Sequence, residues 1–240
     1  AAAATPAAYA ADARSIKDKW AEVLANAEKF RSVALANKLT GSWERPAPIT
    51  LNFAPPAREA DVAAVERQLG YRLPAGLRAF FLEASAGFEI YWLLPGLQTT
   101  APDGTTNVKI FVLPPEPLVE ISTYGGTPHP EPKVNGSQFK LALADLPHQR
   151  DGARDWIESF EAARDKETDE RGRLHYQRYA DFWRRGIPLT TGGGGDVIAA
   201  DRDSDDGSIL MLFHDGSDEP GWFLERSLID LMVDVSRLGF

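Results

Sequence analysis

A chain of 240 residues with 43% hydrophobic, 10% aromatic and 25% charged side chains has the composition of a globular protein with one sizeable core. The absence of cysteine removes disulfides, thiolate metal sites and cysteine nucleophiles, and no apolar run reaches the roughly 20 residues that a membrane span requires. A net charge of −9 with a pI near 5.0 repels phosphate backbones, which argues against nucleic acid as a partner and for a basic one.

Residues 1–10 are alanine-rich, carry no apolar stripe and are expected to fray; the rest, 11–240, reads as one domain. Ile16, Trp20, Val23, Leu24, Ala27 and Phe30 recur at helical spacing, which predicts a helix over 11–39 that stops at Thr40 and Gly41. The run PAPITLNFAPP, between prolines, reads as an edge strand or a linker. READVAAVERQLG is helical, with Val62, Val65 and Leu69 on one face and Gly70 placed to end it. Pro74 opens a second helix carrying Leu77, Phe80, Phe81 and Ala84, which leaves through Ala86 and Gly87.

The period then shortens. FEIYWLL, NVKIFVL, LVEISTY and FKLALADL are rich in β-branched and aromatic residues and are separated by Gly or Pro clusters, as strands are. Residues 148–186 return to helix, with nine acidic and nine basic residues intermixed as on a solvated helical face. DVIAAD and SILMLFHD form a hairpin, and ERSLIDLMVDVSRLG closes the chain as an amphipathic helix. This order predicts an α+β fold: a mainly antiparallel twisted sheet with helices packed against it, plus an N-terminal helix and a helical insert.

Two blocks carry a resemblance. The first is Glu66, Leu69, Gly70, Leu73, Pro74, Phe80, Phe81, Leu82 and Gly87, with Ala86 where an asparagine is usual. The second is Gly195–Asp196, the turn Asp201–Gly207, the strand Ile209–His214, and Phe223 followed by Ser227 and Leu228. Framing residues 58–236, they resemble the SMI1/KNR4 (SUKH) superfamily. The resemblance implies a binding fold without catalytic residues. Bacterial members are mostly immunity proteins that neutralise secreted toxins, many of them nucleases; fungal members are regulatory scaffolds.

The residues themselves offer little support for catalysis. DRDSDDG, 201–207, lacks the Gly and Glu of a calcium-binding helix-loop-helix, since Asp206 and Leu212 stand at those positions. The glycines 192–195 lack the Lys-Ser/Thr of a phosphate-cradling loop, and His129, His148, His175 and His214 show no metal-ligand spacing. No GxSxG elbow occurs, which leaves only a hydrolase with a dispersed triad as the enzymatic alternative. No cofactor or metal is expected.

The feature that stands out is acidic. Asp196, Asp201, Asp203, Asp205, Asp206, Asp215, Asp218 and Glu219 face one base, Arg202, between positions 196 and 219. Read bottom-up, this is either a solvated turn or a surface for a basic partner. With the resemblance, it leads to the expectation of a cytoplasmic immunity protein that occludes a protein toxin through this hairpin. Trp222 and Phe223, or Tyr91 and Trp92, are the candidate aromatic anchors.

Overall fold

The computed structural model describes residues 14–36, 50–95, 97–100, 106–110, 119–122, 134–191, 196–214, 219–224 and 226–238. The first apolar stripe forms helix α1, Ile16–Ala36, whose Trp20, Val23, Ala27 and Phe30 are buried. Leu24 lies at the edge of that stripe and is 40% exposed. The run between prolines is strand β1, Thr50–Phe53, which among the described strands pairs only with β2, Gly87–Pro95.

Between them come α2, Glu59–Leu69, and α3, Ala75–Glu83. Gly70 takes φ +80°, the left-handed conformation that ends α2, and its N–H bonds the Glu66 carbonyl at 2.9 Å. The Glu66 carboxylate accepts the Leu73 N–H at 3.0 Å and lies 3.4 Å from Arg78 Nε, so it ties the Leu-Pro step to both helices. The small-residue exit from α3 is equally specific. Ser85, fully buried, donates from its hydroxyl to the Ala54 and Gly87 carbonyls, at 2.7 and 2.6 Å. A Cβ on Gly87 would sit 2.5 Å from the Leu141 carbonyl oxygen, so only glycine lets β2 pass its neighbour there.

Strands β3, Leu97–Thr100, β4, Thr106–Ile110, and β5, Val119–Ser122, pair with one another, while β6, Val134–Ala142, returns to pair with β2. The helical insert is a pair of helices, α4, Leu146–Lys166, and α5, Glu170–Arg185, with Asp169 capping α5 through the Gly172 N–H at 2.9 Å. With no intervening loop, α5 runs into β7, Gly186–Thr191. Then follow β8, Val197–Asp201, β9, Ile209–Leu212, β10, Gly221–Phe223, and the closing helix α6, Leu228–Leu238.

The fold is α+β, and every described strand pair is antiparallel. The described strands form three sheets, ordered β1-β2-β6, β3-β4-β5 and β10-β9-β8-β7, where the sequence suggested one. Strands β7, β8 and β9 of the four-stranded sheet are buried on both faces. Ile187, Leu189, Ala200 and Ile209 join the core shared by α1, α2, α3, α6, β1, β2 and β6. Val197, Ala199, Leu210 and Leu212 pack on α4 and α5. There Trp156, Phe160, Tyr179 and Trp183 stack with ring centroids between 5.0 and 6.2 Å apart. Each such pair contributes about 0.5–1.5 kcal/mol beyond its buried area. Tyr179 Oη donates to the Glu219 carbonyl at 3.0 Å and Trp183 Nε1 to the Phe213 carbonyl at 2.8 Å, which fixes α5 against β9 and β10.

Candidate functional site

The acidic segment folds as the β8–β9 hairpin and its turn. Gly207, at φ +67°, supplies the left-handed step, and its N–H bonds the Ser204 carbonyl at 3.1 Å. Asp206 organises the turn. Its carboxylate accepts from the Ser204 hydroxyl, from Ser208 Oγ at 2.7 Å and from the Ser208 N–H at 3.0 Å. The Ser204 hydrogen bond first, and then that of Ser208, hold its pKa below the ordinary aspartate value. A depressed folded pKa means that this stabilisation is complete above the unfolded value of about 4 and is lost as pH falls through the folded one. The stability gap between wild type and Asp206→Asn, followed by urea melts across pH, is therefore expected to close only on the acid side.

The turn does not project freely into solvent. Gly76 N–H, in the first turn of α3, donates to the Asp205 carbonyl at 3.1 Å, and Gly207 lies against the side chains of Pro74 and Leu77. The two sequence blocks thus meet: the Leu-Pro step is the seat on which the acidic turn rests.

The eight carboxylates fare differently. Asp201 is 2% exposed and is held by Arg185, whose Nε and Nη2 donate to its two oxygens at 2.7 and 2.6 Å. It also accepts the Asp203 N–H at 3.0 Å. This corrects its placement as a surface contact: Asp201 is a buried, paired structural residue. Glu219 pairs with Arg178 at 2.8 Å, and Asp196 bonds His214 Nδ1 at 2.9 Å. Asp203, Asp205 and Asp206 are exposed, with the nearest cationic groups of Arg185 and Arg202 at 3.9 and 3.8 Å from Asp203. Asp215 and Asp218 lie outside the described residues.

Of the aromatic candidates, Trp222 is 59% and Phe223 46% exposed, both on β10 at the edge of its sheet. Trp222 meets the Phe213 ring edge-on at 4.9 Å; Phe223 meets Phe182 at 5.2 Å and lies under the Arg185 guanidinium at 4.9 Å. Arg185, which sequence reasoning missed, therefore joins Asp201 to Phe223. It stands opposite the turn only because β7 pairs with β8, where the Arg202 N–H bonds the Arg185 carbonyl at 3.0 Å. No local pattern announces that pairing. Tyr91 and Trp92 lie on β2, opposite Gln138 and Ser137, and their side chains fall outside the described residues.

The hairpin and its edge strand thus combine exposed carboxylates at the turn with part-exposed rings on β10. The His214–Asp196 pair sits beside the Trp156 ring, and among the described residues no serine is bonded to it. Among the described residues, too, no three His, Cys, Asp or Glu side chains are grouped to hold a metal, and no helix is long and apolar enough to cross a membrane.

The family profile described as SMI1/KNR4 (SUKH-1) matches residues 56–225, from the approach to α2 through β10. That span contains both sequence blocks up to Phe223, the turn and its seat, and leaves α1 and α6 outside. No curated protein matches the chain.

Proposed function

Since the chain belongs to the SMI1/KNR4 (SUKH-1) family, we propose that it is a non-enzymatic cytoplasmic immunity protein that binds and occludes one secreted protein toxin. The observation that carries the reading is that one β8–β9–β10 unit carries exposed carboxylates at Asp203 and Asp205 on its turn and part-exposed rings, Trp222 and Phe223, on the two faces of its edge strand. Carboxylates on a chain of charge −9 steer a basic partner, and a nuclease groove, built to hold phosphates, is such a partner. Part-exposed aromatic rings are the residue type that most often holds an interface once it has formed. The first set acts on association and the second on dissociation.

The two roles separate experimentally. Against the toxin encoded beside it, Asp203→Asn/Asp205→Asn should slow association by about three- to tenfold at low salt and flatten the salt dependence. Asp206 is spared in that variant because its carboxylate holds the turn together. Trp222→Ala should instead speed dissociation, by about tenfold or more for an anchor worth over 1.4 kcal/mol. Surface-immobilised toxin and a salt series give both rates. An unchanged association rate with an unchanged salt slope would remove the turn from the interface. Weak binding to several unrelated partners, with no tight complex, would indicate a scaffold instead.

A further inference from the structure

Within this acidic chain, one cavity gathers arginines. It lies between α4, α5 and β7, has a volume of about 230 Å³, and is lined by Arg150, Arg154, Arg184 and Arg202 with Tyr71 and Trp183 among its walls. No described carboxylate is among its lining residues.

The four guanidinium groups arrive from three elements and are held to different degrees. Arg150 is fixed at the C-terminal end of α2, donating to the Gln68 and Leu69 carbonyls at 2.8 and 3.3 Å and to Asp151 at 2.7 Å. Arg184 is fixed by Asp181 at 2.7 Å and by Glu161. Arg154 and Arg202 are looser. Their carboxylate neighbours, Asp151 and Asp203, stand at 3.3 and 3.8 Å, and the side chains are 58% and 43% exposed. The Arg202 guanidinium lies 5.8 Å from the centre of the Tyr71 ring. A guanidinium carries five N–H donors, so these partners leave donors on each arginine for a ligand.

We propose that this cavity is an anion site that takes the phosphate group of a small phosphomonoester, gripped by Arg154 and Arg202 against the fixed Arg150 and Arg184. Donors converging from several directions suit a tetrahedral dianion with three or four acceptor oxygens better than a planar carboxylate. The volume is below the roughly 300–1,000 Å³ of pockets that enclose drug-sized ligands, so only the phosphate and a short organic part fit inside. Tyr71 and Trp183 supply apolar surface for that part. Burial raises the pKa of the Tyr71 phenol, and the charges of Arg202 and Arg150 oppose that rise. The phenol accordingly stays protonated near neutral pH and can donate to the anion. The site does not depend on the toxin-binding reading.

The test is calorimetric titration of the full chain with orthophosphate, phenyl phosphate and acetate. Both phosphates are expected to saturate one site, phenyl phosphate the more tightly because of the aromatic walls, and acetate is expected not to bind. Equal affinity for the two phosphates would identify free phosphate as the ligand of the same site. Arg154→Met/Arg202→Met should weaken phosphate binding at least about tenfold, whereas Arg173→Met, on α5 outside the cavity lining, should leave it unchanged. Should the double methionine variant fail to fold, Arg154→Lys/Arg202→Lys keeps the charge, loses the fork geometry and is expected to weaken binding by a smaller factor. No saturable phosphate binding, acetate binding of equal strength, or unaltered affinity in the folded variant overturns the proposal.

Discussion

Gly76→Ala is expected to destabilise the protein by about 2–4 kcal/mol, and Gly152→Ala to stabilise it by about 0.5–1 kcal/mol. A Cβ on Gly76 would stand 2.1 Å from the Asp206 carbonyl oxygen and 2.7 Å from its carbon. Those atoms are backbone and cannot rotate aside. Either the acidic turn lifts from α3 or the first turn of α3 unwinds, and both outcomes lose the Gly76 N–H bond to the Asp205 carbonyl. The estimate combines that bond, about 1 kcal/mol, with the usual 1–3 kcal/mol of overpacking. Gly152 lies inside α4 with nothing within 4 Å of the same construction, so there alanine only removes backbone freedom from the unfolded chain. Urea midpoints of the two variants should move in opposite directions. A neutral Gly76→Ala would mean that the turn is not seated on α3.

Arg185→Met is expected to cost about 2–3 kcal/mol, and most of that loss should disappear when Asp201 is changed to asparagine in the same chain. Asp201 is 2% exposed, and its carboxylate has two charge-assisted bonds from Arg185 besides the Asp203 N–H. Without Arg185, a buried carboxylate keeps one backbone donor and no counter-charge. Breaking buried pairs typically costs 3–5 kcal/mol. The Arg185 side chain is 39% exposed, so water partly replaces it and the lower figure applies. The four-variant cycle, measured by urea unfolding, separates loss of packing over Phe223 from loss of the ion pair. A coupling energy near zero would refute the pairing as the reason for the cost.

The helices were legible because their determinants are local. Val62, Val65 and Leu69 mark the buried face of α2, Gly70 ends it and Pro74 stands at the start of α3, each by a rule acting within a few residues. The β8–β9 hairpin was legible for the same reason. Strand β7 was not, because Pro188 sits inside it, and proline ordinarily argues against a strand. It is accommodated by a register shift between Pro188 and Thr190. With three residues, β10 is too short to show alternation. At the site, sequence counted charges correctly but not their partners: Arg185 and Arg178 reach Asp201 and Glu219 from α5, across 16 and 41 residues of chain. The arginine cavity was hidden likewise. Arg150 and Arg154 share a helix face, but Arg184 and Arg202 join them only through tertiary packing.

The contact between α1 and α6 also sets a timetable for synthesis. Lys19 bonds Asp230 at 2.7 Å, Asn26 bonds Ser236 at 3.0 Å, and Arg237 reaches Glu22 at 2.5 Å, across 211, 210 and 215 residues. At roughly 5–20 residues translated per second, α1 emerges from the ribosome on the order of 10–40 seconds before its partner helix exists. Throughout that interval Trp20 and Phe30 lack the apolar face of α6, and Lys19, 6% exposed in the finished fold, has no Asp230 to neutralise it. The nascent chain thus carries an incomplete hydrophobic surface until α6 emerges, and the packing of α1 is completed only after elongation has passed Leu238.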